Sequence, residues 1–395
     1  MKVKSLKQAK LLDKKVLVRA DLNVPIKNKK ITDLTRIKEL KPTIDFLLKN
    51  KARIAICSHL GRPDGKPNKE FSLKQVANAL AKTLKVKVKF VPDCKSANIP
   101  KLLEKLEHKQ ILLLENTRFY AEEENNDKSF SEQLAAPFDL YVNDAFGTAH
   151  RAHASTEGVT HFLKSYSGLL MESEIKAMAP LLDSKKLKKP LTVIVGGAKI
   201  DTKIGVIKQF IGLADYILVG GALANTFLLA EGFNTGKSLV EEEKIDIAQE
   251  ILLLAEKKKT KILIPGDVIV ADKIEEKAAT IDIPVEDVLG KMMILDIGRL
   301  TAREYSSVVH KSKTVILNGP MGLYEMEPFA SGTKYLFKEI AKAKATTVIG
   351  GGDTIDAINK FKISPKKFNH VSTGGGAMIE FLEGRILPGI VPLIK

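Results

Sequence analysis

The feature that most constrains this chain is a repeated pattern in which a short apolar run ends in glycines. Four segments show it: LTVIVGGAK at 191–199, DYILVGGA at 215–222, TTVIGGGDT at 346–354 and HVSTGGGA at 370–377. Apolar, β-branched runs of this length predict strands that are buried on both faces. Glycines after such a strand let backbone N–H groups and the start of a following helix approach an anion. Each of these loops is therefore a candidate phosphate site.

Short apolar runs and helical patterns also alternate in the first half of the chain. Apolar residues at helical spacing predict helices over 34–48 and 72–84, and the second opens with a capping box of Ser72 and Gln75. Strands that alternate with helices indicate parallel βαβ units. We predict buried strands at 16–19, 54–58, 86–91, 111–114 and 140–143.

A charged linker that ends in proline separates the two halves. Residues 168–182 carry apolar side chains at helical spacing, and SKKLKKP follows at 184–190. We predict a helix there, with the domain boundary directly after it. The length of 395 residues is enough for two or three domains of about 150 residues each.

The composition excludes disulfide scaffolds and membrane-spanning proteins. The two cysteines, Cys57 and Cys94, allow at most one bridge and form no CxxC metal pattern. Lysines interrupt the N-terminus every few residues, so it lacks the apolar core of a signal peptide. No apolar run approaches the roughly 18 residues that span a bilayer. We expect a soluble protein in a reducing, cytoplasmic compartment.

The charge is strongly positive, but its distribution does not favour a nucleic-acid-binding face. The net charge is +16, the lysines are scattered and aromatic residues make up only 6% of the chain, which indicates a solvated lysine-rich surface. Only nine of the 63 basic residues are arginines, and six of these lie within the first 151 residues. In such a chain we expect arginine where its planar fork contacts a carboxylate or phosphate.

In the first half of the chain, several arginines lie at the last residue of a predicted strand or shortly after it. Ligands of open parallel sheets bind beyond the carboxyl ends of the strands, so these side chains predict a site for a small polyanion. Ordinary surface ion pairs are the alternative for each of them. The arginines concerned are Arg19, Arg62, Arg118 and Arg151. Three histidines lie close to these arginines in the sequence. We predict that they either form hydrogen bonds with the substrate or have a structural role: His59, His150 and His153. A metal site is disfavoured because arginine repels a cation.

Common nucleotide fingerprints are absent from the second half. No GxGxxG follows a strand, and GFNTGKS at 232–238 has three residues between its glycines where a Walker A loop needs four. Lys199 follows the glycines of the first loop, and Lys203 is predicted one turn later along a helix. The two ammonium groups would either lie over a bound phosphate or simply be exposed at the start of the helix. Asp353 is predicted either to cap a helix or to hold the magnesium of a nucleotide.

These segments together resemble the phosphoglycerate kinase family over nearly the whole chain. The matching segments, in the family's order, are KVLVRADLNVP, ICSHLGRP, LLLENTRF, NDAFGTAHRAH, VGGAK, NGPMGLYE, VIGGGDT and HVSTGGGA. The resemblance implies an α/β fold of two doubly wound parallel-sheet, Rossmann-like domains joined by a helix hinge. It implies a 3-phosphoglycerate domain at 1–170, a hinge helix and linker at 171–189, a Mg-nucleotide domain at 190–373, and a segment at 374–395 that returns to the first domain.

The resemblance also implies a set of site residues. Substrate positions are Asp21, Leu22, Asn23, Arg36, His59, Leu60, Gly61, Arg62, Arg118 and Arg151. Nucleotide positions are Lys203, Asn318, Glu325, Gly351, Gly352, Asp353 and Thr354, with Asp353 as the metal ligand. Positions that stabilise the transferring phosphoryl group are Arg36, Lys199, Gly374 and Gly375.

The implied reaction is reversible phosphoryl transfer from 1,3-bisphosphoglycerate to Mg-ADP, giving 3-phosphoglycerate and ATP in glycolysis and gluconeogenesis. It implies Mg²⁺ with ADP or ATP, no nucleic acid or membrane partner, and a monomer. Three positions depart from the family's usual pattern and bear on the adenine pocket: Ala222, Thr202 and Arg299. The rival classes are a dinucleotide oxidoreductase, which lacks its fingerprint here, and a basic nucleic-acid-binding protein, which would show salt-steep DNA affinity and no turnover.

Overall fold

A computed structural model describes residues 1–395, and the chain divides into two compact units. The first unit comprises Met1–Lys176 together with Ile386–Lys395, and the second comprises Ala177–Arg385. No helix in the chain combines the length and apolarity needed to cross a membrane.

The first unit is built on a six-stranded parallel sheet. Its strands are β1 (Lys15–Arg19), β4 (Arg53–Cys57), β5 (Lys87–Val91), β6 (Gln110–Leu114), β7 (Leu140–Asn143) and β8 (Lys164–Ser167); β2 (Ile26–Lys27) and β3 (Lys30–Ile31) form a separate hairpin. Its helices are α1 (Thr35–Lys49), α2 (Ala77–Leu84), α3 (Ile99–Glu104), α4 (Ala121–Glu124), α5 (Lys128–Ala135) and most of α6 (Leu169–Met178). The strand order is β5-β6-β4-β1-β7-β8, so the chain fills one side of β1 before it crosses to the other.

Alternate residues of the central strand explain why helices cover both faces of this sheet. Val16 and Val18 of β1 belong to one apolar core, which α1 and α2 share, whereas Leu17 belongs to the core on the opposite face. Successive side chains of a strand point to opposite faces, so a strand whose central residues are all apolar needs a helical layer on each side.

The second unit contains another six-stranded parallel sheet and a small antiparallel one. The strands are β9 (Leu191–Val195), β10 (Tyr216–Val219), β11 (Lys261–Leu263), β12 (Asp267–Ala271), β13 (Ile281–Pro284), β14 (Met293–Ile297), β15 (Thr314–Asn318), β16 (Thr346–Gly350) and β17 (His370–Val371). The helices are α7 (Ile204–Phe210), α8 (Ala222–Ala230), α9 (Ile245–Lys257), α10 (Arg299–Lys311), α11 (Ser331–Ile340), α12 (Gly352–Lys360) and α13 (Gly376–Leu382).

The strand order of the large sheet in the second unit places its binding crevice. The order is β11-β10-β9-β15-β16-β17, and the small sheet has the order β13-β12-β14. Strands β10 and β11 are added on one side of β9, and β15, β16 and β17 are added on its other side. In such sheets ligands bind beyond the carboxyl ends of the two strands at which the order switches, here β9 and β15. Those ends are followed by the glycine loops at 196–197 and 319–322. The prediction of two doubly wound α/β units is confirmed.

The predicted strands of the first half are confirmed, with one error about burial. Strand β5 is half-exposed because it lies at the sheet edge, and Lys87 and Lys89 point to solvent. The predicted capping box does not form: the Ser72 hydroxyl accepts from Lys74 N at 3.2 Å, but the Gln75 amide donates to Ser72 O instead of capping its N–H. Ser72 opens a 3₁₀ turn, and α2 begins only at Ala77.

The residue boundaries of the two units differ from those of the predicted domains. The division falls between Lys176 and Ala177, inside α6, which joins the two units. Helix α13 packs on α7 within the second unit, so the segment that returns to the first unit begins at Ile386 and not at 374. In the first unit, Gly389 N donates to Ala149 O at 2.8 Å and Lys4 N donates to Leu393 O at 2.7 Å.

Candidate functional site

Four arginines of the first unit lie near enough to one buried histidine, at the carboxyl edge of the sheet, to act on its charge. His59 follows β4, and burial together with the charges of Arg19, Arg118, Arg36 and Arg151 holds its pKa well below the ordinary value. The arginines come from four different stretches of chain, and the parallel strand order brings the ends of those stretches together. Such a density of guanidinium groups is suited to a small ligand with several negative charges.

The loops that carry these arginines are joined by direct hydrogen bonds. The Arg36 guanidinium lies 2.7 Å from both carboxylate oxygens of Asp21. Asn23 Oδ1 accepts from Gly61 N at 2.9 Å, and Arg118 donates to Gly61 O at 2.9 Å. Asp21, Asn23, Arg36, Gly61 and Arg118 therefore form one connected surface.

Glycine is required at position 61 of this surface. Its φ is +64°, and a Cβ there would lie 2.2 Å from the Phe71 ring. Leu22 N donates to Ser58 Oγ at 2.9 Å, and Leu60 O accepts from the Asn116 amide at 2.7 Å. The two leucines thus contribute backbone anchors to the loops after β1 and β4.

Two of the predicted residues lie less deeply in the cluster. Arg151 is half-buried, and its Nε lies 3.1 Å from Nε2 of His150. Arg62 is exposed, and its side chain makes no hydrogen bond or ion pair. His153 is buried, and burial with the charges of Arg118, Arg19, Arg151 and His150 lowers its pKa to about 4. Both His59 and His153 are therefore neutral at neutral pH.

Arg19 was predicted from the sequence, but its buried partners Ser155 and Glu123 were not. Arg19 is only 1% exposed, its Nε donates to Ser155 Oγ at 2.8 Å, and its NH2 lies 3.3 Å from His59 Nδ1. The Ser155 hydroxyl in turn donates to the buried carboxylate of Glu123 at 2.5 Å. An arginine that ends an otherwise apolar strand, VLVR, was the available signal for a buried network, because a buried guanidinium needs partners.

In the second unit, glycines let the loops after β9, β10 and β15 pack backbone against backbone. A Cβ at Gly319, where φ is +101°, would lie 2.2 Å from Gly196 O. A Cβ at Gly221, where φ is +69°, would lie 2.6 Å from Gly197 O. Gly197 N donates to Pro320 O at 3.0 Å, which completes the contact. These glycines are needed for close approach, whatever ligand the loops bind.

Polar side chains at the ends of β15 and β16 form a connected group. The Lys203 ammonium donates to Asn318 Oδ1, and the Asn318 amide donates to Gly350 O at 3.0 Å. Burial lowers the pKa of Lys203, and the nearby Asp353 carboxylate acts in the opposite direction. Thr354 Oγ1 accepts from Gly319 N at 2.7 Å. The structure thus brings together Lys203, Asn318, Asp353 and Thr354.

Helix α12 begins beside this group. Its N-cap is Gly351, with φ +102°, and Gly352 is its exposed first residue. Asp353 lies in the first turn and makes no capping hydrogen bond, so the alternative that it caps the helix is wrong. Its carboxylate is exposed at the helix N-terminus, where N–H groups also point outward.

A cavity of about 250 Å³ lies between these loops and the small antiparallel sheet. Its lining includes Gly197, Ala222, Tyr324, Glu325 and Asp353. Of the three positions that depart from the family's usual pattern, only Ala222 lines this cavity; Thr202 is exposed and Arg299 begins α10. Its walls are mostly apolar with a few polar groups, as is common for sites that bind a planar organic ring.

Lys199 and the last glycine loop are placed differently from the predictions. Helix α7 begins at Ile204, so Lys199 and Lys203 do not lie on one helix; both precede it in a turn. Lys199 is exposed at the tip of that turn. Gly374 N donates to Ser372 Oγ at 3.1 Å, and Gly375, with φ +53°, is the N-cap of α13.

One doubly wound unit carries an arginine cluster at its strand ends and the other carries a glycine-lined cavity, which is compatible with a phosphotransferase of two domains. The phosphoglycerate kinase family model matches residues 6–385. A phosphoglycerate kinase of Moorella thermoacetica is 45% identical over 391 residues, 99% of each chain. A cytosolic phosphoglycerate kinase of Triticum aestivum is 46% identical over 99% of this chain and 98% of its own. The solved phosphoglycerate kinase of Coxiella burnetii is 41% identical, with a TM-score of 0.90 over 99% of each chain.

The chain belongs to the phosphoglycerate kinase family. It is a phosphotransferase with a carboxyl group as acceptor, and it transfers a phosphoryl group reversibly between 1,3-bisphosphoglycerate and ADP in glycolysis.

Proposed function

We propose that the first unit binds the phosphoglycerate substrate at its arginine cluster and that the second unit binds the magnesium nucleotide. The observation that carries this proposal is the convergence of Arg19, Arg36, Arg118 and Arg151 on His59. A phosphoglycerate carries a phosphate and a carboxyl group, and planar guanidinium groups bind both with paired hydrogen bonds. The neutral His59 supplies a hydrogen bond without adding charge.

The remaining substrate residues have supporting roles in this proposal. Asp21 and Asn23 contact the substrate hydroxyl and also fix Arg36 and the Gly61 loop, in keeping with their observed bonds. Arg62 is exposed and available to close over the substrate. Leu22, Leu60 and Gly61 contribute the shape of the loops.

For the nucleotide, Lys203, Asn318, Glu325, Gly351, Gly352 and Thr354 are proposed to bind the phosphates and the sugar. The Asp353 carboxylate fits Mg²⁺ because it is exposed, engages no other side chain and lies beside backbone N–H groups that would face the phosphates. No group of three or more His, Cys, Asp or Glu side chains is arranged so that it could hold a metal ion without further ligands. Magnesium is suited to this arrangement because it binds through one or two carboxylates plus phosphate oxygens and water. When bound, it neutralises charge on the phosphates.

The catalytic contribution of the protein is proposed to be positioning and charge stabilisation. The attacking oxygen belongs to an ionised carboxylate or phosphate, so no general base is needed. Charge on the transferring group would be offset by the guanidinium of Arg36, the ammonium of Lys199 and the N–H groups of Gly374 and Gly375. Arg36 already donates to Asp21 through NH1, which leaves its other N–H donors for the phosphoryl group.

The reaction requires the two bound substrates to meet, so we propose a closing motion hinged on α6 that brings them together and excludes water from the acyl phosphate. We also propose that the protein acts as a monomer in the cytoplasm and has no nucleic-acid or membrane partner.

The test is calorimetry on the full chain with paired variants, beside a coupled assay of ATP-dependent 3-phosphoglycerate phosphorylation. Arg118→Met should weaken 3-phosphoglycerate binding by about 10- to 100-fold, the value of a charged hydrogen bond, with Mg-ADP binding unchanged. Asp353→Asn should weaken ADP binding only when Mg²⁺ is present. Arg53→Met is the matched control, because Arg53 also donates to backbone carbonyls but lies at the amino end of β4.

The division of labour would be refuted if Arg118→Met weakened the binding of both substrates equally. It would also be refuted if Arg53→Met reproduced the effect of Arg118→Met. The magnesium assignment would be refuted if Asp353→Asn weakened ADP binding equally with and without Mg²⁺.

A further inference from the structure

Glu123 is a fully buried carboxylate in α4 that has no part in the proposed mechanism. Its side chain is 0% exposed and accepts three hydrogen bonds. Oε1 accepts from Ser155 Oγ at 2.5 Å and from Thr117 Oγ1 at 3.1 Å, and Oε2 accepts from Ser155 N at 2.9 Å. Burial of an ionised carboxylate is costly unless such donors satisfy it. We call Glu123, Thr117, Ser155 and Arg19 the Glu123 cluster.

Each partner in the Glu123 cluster adjoins a residue of the proposed phosphoglycerate site. Thr117 directly precedes Arg118 in the loop after β6. Ser155 lies in the loop after β7, shortly beyond Arg151, and the backbone of Glu123 supports that loop again by accepting from Ala154 N at 2.9 Å. One carboxylate therefore fixes two loops that come from different strands.

The third connection runs through the hydroxyl of Ser155. That hydroxyl donates to Glu123 and accepts from Arg19 Nε at 2.8 Å. Arg19 NH2 lies 3.3 Å from His59 Nδ1, which is at the centre of the arginines. A line of contacts thus runs from Glu123 through Ser155 and Arg19 to His59. It fixes the guanidinium beside the imidazole without a direct ion pair to the carboxylate.

Charge gives a second reason for a carboxylate at this position. Arg19 is 1% exposed, and four guanidinium groups in one cluster repel one another. Burial lowers the pKa of Arg118. The carboxylate of Glu124, which pairs with Arg118 Nε at 3.0 Å, and the buried carboxylate of Glu123 both act to raise it, and so oppose the repulsion from Arg151 and Arg19. A buried charge without compensation destabilises its surroundings by several kcal/mol.

We propose that Glu123 is a positioning residue for phosphoglycerate binding, which holds the loops of Arg118 and Arg151 and the Arg19–His59 pair in their binding arrangement. This inference rests on the proposed function, since it takes the arginine cluster to be the phosphoglycerate site. Glu123 does not contact the substrate and acts only through its partners.

The test compares five forms of the full chain by calorimetry and steady-state kinetics: the unchanged chain, Glu123→Gln, Ser155→Ala, the double variant of these two, and Ser165→Ala. Glu123→Gln keeps the size of the side chain but turns one acceptor into a donor that faces Ser155 N, and removes the charge. Ser155→Ala removes only the bridging hydroxyl. Ser165→Ala is the matched control, because it deletes another buried hydroxyl of the first unit, one that donates to Leu163 O at 2.8 Å on the edge strand β8.

We expect Glu123→Gln to weaken 3-phosphoglycerate binding about 10-fold or more, and Ser155→Ala by a smaller factor, with Mg-ADP binding within about 2-fold of the unchanged chain. KM for 3-phosphoglycerate should rise more than kcat falls. The double variant should bind 3-phosphoglycerate no more weakly than Glu123→Gln alone, because both changes break the same line of contacts. Ser165→Ala should leave both affinities within about 2-fold.

Unchanged 3-phosphoglycerate affinity in folded Glu123→Gln would overturn the inference, and so would equal loss of affinity for both substrates. If Glu123→Gln does not fold, Ser155→Ala decides by the same criteria. Arg118→Met separates the two proposals: if it weakens 3-phosphoglycerate binding while the Glu123 cluster variants do not, only the positioning role fails. If Arg118→Met has no effect, the proposed function fails and the inference with it.

Discussion

Acidification from pH 8 to pH 5 should remove stability at the buried histidines of the arginine cluster, a contribution that a comparison of variants isolates from the opposite contribution of Asp144 and Asp296, whose pKa burial raises to about 7. Burial first, and then the charges of Arg118, Arg19, Arg151 and His150, lower the pKa of His153 from 6.5 to about 4. His59 is shifted in the same direction by burial and the same kind of neighbours. Both side chains remain neutral in the folded protein at a pH where the unfolded chain already binds a proton.

The sign and size of the effect follow from linkage between protonation and folding. Above pH 6.5 neither state protonates His153, so the histidine leaves stability unchanged. Between pH 6.5 and pH 4 the unfolded state binds more protons, so the free energy of unfolding decreases as the pH falls. At pH 5 the loss for His153 is about 2 kcal/mol at most, from about 1.4 kcal/mol per pH unit, and about 1 kcal/mol once solvent screening is allowed for. His59 adds a loss of the same sign.

The assay is urea unfolding of the wild-type chain and His153→Gln at pH 8 and pH 5. Glutamine cannot take up a proton, so the unfolding free energy at pH 5, taken relative to its value at pH 8, should be about 1 to 2 kcal/mol higher in His153→Gln than in the wild-type chain. His108→Gln replaces an exposed histidine of the same unit and should leave this difference between the two pH values as it is in the wild-type chain. An equal change between the two pH values in the wild-type chain and in His153→Gln would refute the electrostatic reasoning.

Three further predictions concern catalysis and the second unit. Arg36→Lys keeps the charge but loses the planar fork, so kcat should fall about 100-fold or more with little change in substrate affinity; near-normal kcat would remove Arg36 from its proposed role. At saturating substrates kcat should be nearly flat from about pH 6 to pH 9, because the nucleophile is already ionised, and an acid limb that disappears on His59→Gln would contradict this. Burial and the Asp267 carboxylate raise the pKa of Asp282, so Asp282→Asn should increase the unfolding free energy by about 0.5 kcal/mol at pH 7 but not at pH 3, as measured by urea titration.

The strands that form the centre of each sheet were predictable because burial on both faces leaves a continuous apolar run. Strand β5 shows the limit of that rule. In KVKFV, lysines alternate with apolar residues, which is the pattern of an edge strand with one exposed face, and the structure places it at the edge. The small sheet of β12, β13 and β14 was missed altogether. Strand β12 pairs with β14, so that Val268 lies opposite Ile297 although the two residues are far apart in sequence. No local pattern fixes such a register.

Loop geometry was the least predictable part of the candidate site. The pattern of isoleucines favoured a helix that included Lys199 and Lys203, but α7 begins at Ile204. Ile200 N donates to the carboxylate of Glu241, which lies 41 residues further along the chain, and no local pattern predicts such a contact. Lys199 directly precedes Ile200 and is exposed.

The Glu123 cluster could not be predicted from the sequence either, because its polar contacts join residues that are far apart in the chain. Ser155 lies 136 residues from Arg19 and 32 residues from Glu123. Each of these residues has an ordinary local interpretation: a strand end, a loop serine, a helix glutamate. Their shared role depends on which strand ends become neighbours, and only the strand order supplies that.

In the proposed function the two units bind their anionic substrates by different physical means, and the difference has a measurable consequence. The arginine cluster stores fixed positive charge, so its buried members need a carboxylate and a bridging hydroxyl to remain stable without ligand. The proposed nucleotide site has fewer fixed cations, because backbone N–H groups at glycine loops and a magnesium ion that arrives with the ligand supply the compensation. Fixed charges attract an anion over a distance and are screened by salt, whereas N–H groups act only at contact. The affinity for 3-phosphoglycerate should therefore fall more steeply with ionic strength than the affinity for Mg-ADP.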